Sequence, residues 1–166
     1  MTPTSLLALL VAGSVLAPPS ATTPPAASVR WAWPVGDGAR PPLVAPFDAP
    51  EEQWGPGHRG IDLGTARGEP VRAVDAGEVT HRGRIAGRGT VTVTHANGVR
   101  STYEPVDSSV RVGDRVRRGE TIGRVGDEPG HCAPAACLHL GAKRGPTYLD
   151  PLGFFGVRRV VLLPVP

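Results

Sequence analysis

The sequence predicts an all-β domain: a compact antiparallel β-sandwich or half-barrel of short, glycine-cornered strands, with no long helix in the mature domain. Three observations predict it. Glycine (22) and proline (19) are abundant among the 166 residues, while aromatics make up only 5%, a balance that suits tight turns and short strands. Short runs of alternating apolar and polar residues recur from Pro70 onward, as expected of half-buried strands. No run carries apolar residues at the helical spacing over the length of an amphipathic helix.

The chain divides into a leader over residues 1–27, an extended entry segment over 28–42 and a domain over 43–166. The leader contains an apolar run, Leu6 to Ala17, followed by small residues and prolines. That run is too short to cross a bilayer, and the pattern reads as a secretory signal peptide cleaved between about Ala17 and Ala27. It has no lysine or arginine ahead of the apolar run, and no cysteine follows it as a lipid anchor would require. No later segment is long and apolar enough to span a membrane. The expectation is a secreted protein.

In the entry segment, Trp31 and Trp33 alternate and face one side of an extended stretch, packing on the domain surface. "PVRAVDAGEVTHRG" gives two short strands around a turn at Asp75–Gly77. "TVTVTHANGVRSTY" gives two alternating runs around Asn97-Gly98, which predicts a type I′ hairpin with positive φ at both central residues. "VRVGDRVRRGETIGRVG" supplies very short strands with glycine corners. "CLHLGAKR" and "VRRVVLLPV" read as the final strands, with a single helical turn in "YLDPLGFFG" ended by Gly156.

The formal net charge is +3, and Lys143 is the only lysine. The arginines are scattered rather than gathered in a block, so no nucleic-acid footprint is present. A weakly cationic surface favours an anionic partner.

Five histidines are present. In "GHRGIDLG", His58 and Asp62 lie four apart among Gly57, Gly60 and Gly64. A glycine-rich loop can fold back so that both side chains converge, and imidazole nitrogen and carboxylate oxygen both bind zinc at about 2 Å. His139 in "CLHLG" could supply a third ligand from a distant strand. Three protein ligands with one open position is the pattern of a catalytic zinc, which lowers the pKa of bound water and polarises a carbonyl. His81 reads as an exposed residue at a strand end. His95 shares a face with Val91 and Val93 and reads as a packing or hydrogen-bonding residue.

Taken in order, "GHRGIDLGTARGEPVRAVDAGEV", "THANGVRSTYEPV", "VRVGDRVRRGETIG" and "CLHLG" resemble the lysostaphin/LytM-type zinc endopeptidases, which cut peptide cross-links in bacterial peptidoglycan. The resemblance runs from Phe47 to Pro151. It implies a small antiparallel β core with a groove over zinc, and zinc ligands at His58, Asp62 and His139. It implies peptidoglycan or another anionic wall polymer as the partner, and a secreted or cell-wall-associated bacterial protein. Two positions depart from the family pattern. Cys137 stands where the family has the first histidine of His-x-His, and Pro105 stands where it has the histidine of Tyr-x-His. These histidines orient or deprotonate the attacking water and stabilise the transition state.

Three readings follow. The chain is an active hydrolase with substitutes: His131 in a loop near Cys137, Glu104 as general base, or Tyr103 as an oxyanion donor. Strand alternation turns Glu104 away from Tyr103 and the site, unless Pro105 breaks the strand. Alternatively, the domain binds the wall without cutting it or regulates another wall hydrolase. In the third reading the zinc is structural, with Cys137 as a fourth ligand. The only two cysteines, Cys132 and Cys137, favour a disulfide in an exported protein, which would leave no thiolate for zinc. The turn theme also resembles biotinyl and lipoyl carriers, but Lys143 lies far from any exposed hairpin tip. A plain secreted β-domain would leave the His58, Asp62 and His139 combination to coincidence.

Overall fold

The computed structural model describes residues 30–52, 54–130 and 132–156. The expected leader, the expected final strand "VRRVVLLPV" and His131 lie outside the described residues. Eleven strands follow in chain order: β1 Leu43–Ala45, β2 Gly60–Gly64, β3 Pro70–Arg72, β4 Gly77–Ile85, β5 Arg88–His95, β6 Val99–Glu104, β7 Val106–Ser108, β8 Arg115–Val116, β9 Thr121–Val125, β10 Cys137–Arg144 and β11 Thr147–Leu149. Eight of them form one sheet in the order β1-β2-β10-β6-β5-β4-β8, with β11 paired to the far end of β10, and β3-β9-β7 form a second sheet. Every pairing is antiparallel. The only helical piece among the described residues is one 3₁₀ turn, Pro151–Phe155, so the expected all-β class holds.

Alternation sorts the larger sheet into two faces. On the inner face, Val79, Val91, Val93, Tyr103, Ile61, Leu63, Leu138 and Leu140 are buried, and they form one cluster with Val71, Val106, Ile122 and Val125 of the smaller sheet. Each such aliphatic side chain contributes roughly 1.5–3 kcal/mol when fully buried. The outer face carries the intervening residues, among them Asp62, His139, Glu104, Thr92 and Thr102.

The entry segment corrects the surface expectation. Trp31 is buried, stacks on Phe154 with ring centroids 4.3 Å apart, and meets Phe155 edge-on, while Trp33 stacks on Phe155 at 3.9 Å. The 3₁₀ turn holds those two phenylalanines; its start is capped by the Asp150 side chain, which accepts from Leu152 N–H at 2.9 Å.

Two hairpins also differ from expectation. The β5–β6 connection is a three-residue loop in which Gly98 N–H donates to His95 O at 2.9 Å, and only Gly98 has positive φ. That is a type I turn followed by a left-handed glycine, not a type I′ turn. Positive φ at two successive residues occurs instead at Ala86 and Gly87, between β4 and β5. Alanine seldom takes that conformation, so the sequence carried no turn signal there.

Candidate metal centre

The antiparallel register builds the site. Asp62 of β2 stands directly opposite His139 of β10, and directly opposed residues place their side chains on one face. His58 precedes β2 in a loop fastened by two backbone hydrogen bonds with Asp48, at 2.8 and 3.0 Å. Gly57 permits that approach: its φ is 150°, and a Cβ there would sit 2.8 Å from Asp48 O. Gly60 makes room on the floor, since a Cβ there would lie 2.7 Å from Cε1 and Nε2 of His139.

Three donor atoms converge. His58 Nε2 is 3.2 Å from Asp62 Oδ1, His139 Nδ1 is 2.9 Å from the same oxygen, and the two ring nitrogens are 3.1 Å apart. A tetrahedral ion with bonds of about 2.0–2.1 Å places neighbouring ligand atoms about 3.3 Å apart, so the spacing fits zinc. The tautomer fits as well. His58 Nδ1 lies 2.6 Å from Pro46 O; a carbonyl only accepts, so Nδ1 carries the proton and Nε2 presents its lone pair. Asp62 is almost fully buried, whereas the histidine side chains are about one-fifth exposed. The group is therefore open on the histidine side and seated on a buried carboxylate.

Cys132 and Cys137 form a disulfide. Their sulfurs lie within 4.8 Å of an Asp62 carboxylate oxygen, but oxidised sulfur offers no thiolate, which removes Cys137 as a fourth ligand. Cys137 shares the outer face with His139, two residues on, and the bridge borders the centre.

The outer face beyond the centre is polar. One row across the sheet runs Gly60, Gly141, Thr102, Thr92, His81. Thr92 and Thr102 share a hydroxyl hydrogen bond at 3.2 Å, as do Thr80 and Thr94 at 2.9 Å. His81, expected to be exposed, is half-buried, and its Nε2 makes no hydrogen bond among the described residues. It lies three strand spacings from β10, about 14 Å, too far to touch the donor group.

The register overturns two expectations about substitutes. Tyr103 is fully buried on the inner face, where its hydroxyl accepts from Val74 N–H at 2.9 Å and pairs with Ser101 at 2.9 Å. Burial pushes its phenol far up, with the Ser101 and Val74 hydrogen bonds opposing that rise. It cannot reach an oxyanion on the other face. Glu104 does not turn away from the site: it stands directly opposite His139 and shares its face. Both of its oxygens are engaged, Oε1 by Arg88 Nε at 2.5 Å and Oε2 by the Thr90 hydroxyl at 3.1 Å. Pro105 follows at a bend between β6 and β7.

His95 fills the structural role expected of it. Its Nδ1 donates to Ala76 O at 2.9 Å and its Nε2 meets the Ser101 hydroxyl at 2.9 Å, on the inner face. Burial lowers its pKa, against the opposing Ala76 carbonyl and Asp75 charge.

The model of peptidase family M23 matches residues 56–151. The chain is 42% identical over 142 residues to the uncharacterized protein Rv2891 of Mycobacterium tuberculosis, which covers 82% of this chain and 55% of that protein. It is 36% identical over 110 residues to the DD-carboxypeptidase/endopeptidase Mpg of Neisseria gonorrhoeae, over 66% of this chain and 24% of that one. Among solved structures, a putative peptidase M23 from Pseudomonas aeruginosa superposes with a TM-score of 0.62 at 29% identity, over 77% of this chain and 51% of the other. The chain thus spans about half the length, or less, of these relatives.

Proposed function

We propose that this chain, which belongs to peptidase family M23, is an exported zinc metallopeptidase acting on the cross-link peptides of bacterial peptidoglycan. The observation that carries the reading is the convergence of His58 Nε2, Asp62 Oδ1 and His139 Nδ1 within 3.2 Å of one another at one end of a polar sheet face. Zinc bound there would supply a Lewis acid that polarises a peptide carbonyl and acidifies water. The chain's own residues do the rest. The Pro46 carbonyl holds the His58 ring in the tautomer that presents the Nε2 lone pair to the ion. Asp62 contributes negative charge that balances a dication. The Thr92 and Thr102 hydroxyls offer hydrogen bonds along the face to an extended peptide. The relative named as a DD-carboxypeptidase/endopeptidase supports peptide-bond hydrolysis, and the +3 net charge suits an anionic wall.

A second reading has its own support. Cys137 is tied into a disulfide and Pro105 occupies the other position where the resembling family carries a catalytic histidine. Glu104 has both oxygens engaged, so it is not a spare base beside the donor group. Such a domain would bind the wall or regulate another wall hydrolase. The experiment that separates the two is incubation of the purified chain with peptidoglycan and labelling of new amino termini. Release that disappears in His139→Ala supports hydrolysis. Retained wall binding with no new amino termini supports the second reading.

A further inference from the structure

Arg88 and Glu104 lie beside the donor group and have no role in it. Glu104 faces His139 from the neighbouring strand, and its side chain is only 15% exposed. A half-buried carboxylate this close to a metal centre would ordinarily be read as a base, yet Arg88 and Thr90 occupy both of its oxygens. The group left with unused capacity is the arginine. Its side chain is 31% exposed, and Nε is its only atom engaged among the described residues. The two terminal nitrogens of the guanidinium make no hydrogen bond there. Arg84, across the hairpin on β4, is paired with Glu128 at 2.6 Å, so that carboxylate is not competing for Arg88.

We propose that Arg88, held by Glu104, is a carboxylate-binding subsite that positions an acidic peptide along the sheet face. A guanidinium fixed through Nε keeps its terminal edge as a two-pronged donor, and that fork matches the two oxygens of a carboxylate. Fixing the side chain beforehand removes part of the ordering cost a flexible arginine pays on binding. Glu104 is a positioning residue, since it acts through the arginine. The scale of the sheet sets the register of the peptide. β5, which carries Arg88, lies two strand spacings from β10, which carries His139, or about 10 Å. Glu104 draws the guanidinium back toward β6. Arg88 also stands two residues along β5 from the row that holds His139 and Glu104. An extended chain advances about 3.3 Å per residue, so the recognised carboxylate belongs to a residue about three positions from the peptide bond at the centre. The ligand class is a peptide with a free carboxylate at that distance. This deepens the peptidase reading and rests on its placement of substrate on this face.

The test uses two synthetic peptides of one sequence, a short alanine peptide whose single carboxylate lies about three residues from a central bond and its amide counterpart. Binding to the full chain is measured by calorimetry, and new amino termini are counted in the same samples. The acid should bind roughly tenfold more tightly than the amide, the scale of a charge-assisted pair. Arg88→Gln should bring the ratio to about one while leaving affinity for the amide unchanged. Arg88→Lys, which keeps the charge and loses the fork, should retain about a threefold preference. Glu104→Gln should lower the ratio part of the way, again without changing the amide. Equal binding of acid and amide by the unaltered chain, or an unchanged ratio in folded Arg88→Gln, overturns the proposal. Cleavage without carboxylate preference removes the subsite and leaves the peptidase. Preference lost in Arg88→Gln without any cleavage keeps the subsite and removes the peptidase.

Discussion

His95 and His139 sit on opposite faces of one sheet, on strands separated only by β6. On the inner face, every polar atom of the His95 cluster is satisfied locally: Nδ1 by Ala76 O, Nε2 by Ser101, and the Tyr103 hydroxyl by Ser101 and Val74 N–H. On the outer face, two imidazole nitrogens converge on one carboxylate oxygen, an arrangement in which three acceptor-capable atoms crowd together. Neutral donors and acceptors that close on themselves stabilise a core. Lone pairs that converge call for a cation. The chemical type of the residue is the same on both faces; partner geometry assigns the role.

The comparison breaks most readily at Asp62. Asp62→Ala removes a buried ligand and should weaken zinc binding by about 100-fold or more, beyond the 10–100-fold typical of supporting residues. Metal titration with a competing chelator checks it. Next is the bridge that borders the outer site. Replacing Cys132 and Cys137 by serine opens a short loop and should cost about 2 kcal/mol in denaturant unfolding. Gly60→Ala strains the β2–β10 pairing under the site: a Cβ there would crowd the Leu140 backbone oxygen and sit 2.7 Å from the His139 ring, so zinc affinity should fall by about tenfold together with a loss of stability in the same variant. Tyr103→Phe acts on the inner face. It leaves Val74 N–H without its acceptor and should cost roughly 1–2 kcal/mol of stability, with zinc content unchanged.

The smallest effect is a pH dependence. The native pKa of His95 is lowered below 6.5 by burial, so the unfolded chain binds more protons in that range. Stability from this residue is full above about pH 6.5 and declines as pH falls from there toward the depressed native value. Melting temperature followed between about pH 5 and 7 should drop more in the unaltered chain than in His95→Gln.

Much of the fold was legible because alternation and glycine punctuation survive without tertiary information. The donor group was legible for a related reason: His58 and Asp62 lie four apart among glycines, and His139 alternates out of an apolar strand. What failed was the face. Glu104 and Tyr103 are adjacent, so one must face inward, and the register of β6 against β10 shows which. The valines of β5 were the available clue, since Val91 pairs with Tyr103 and marks that parity as core. The Ala86–Gly87 turn was hidden because alanine at positive φ leaves no compositional trace. Trp31 and Trp33 were placed on the surface because their partners, Phe154 and Phe155, lie more than a hundred residues away.

The outer-face residues His58, Asp62 and His139 are proposed to form one zinc centre. Zinc analysis of the purified chain beside His139→Ala and Tyr103→Phe tests it directly. About one zinc per chain is expected, lost in His139→Ala and retained in Tyr103→Phe. Absence of zinc from the unaltered chain, or equal zinc in His139→Ala, would contradict it.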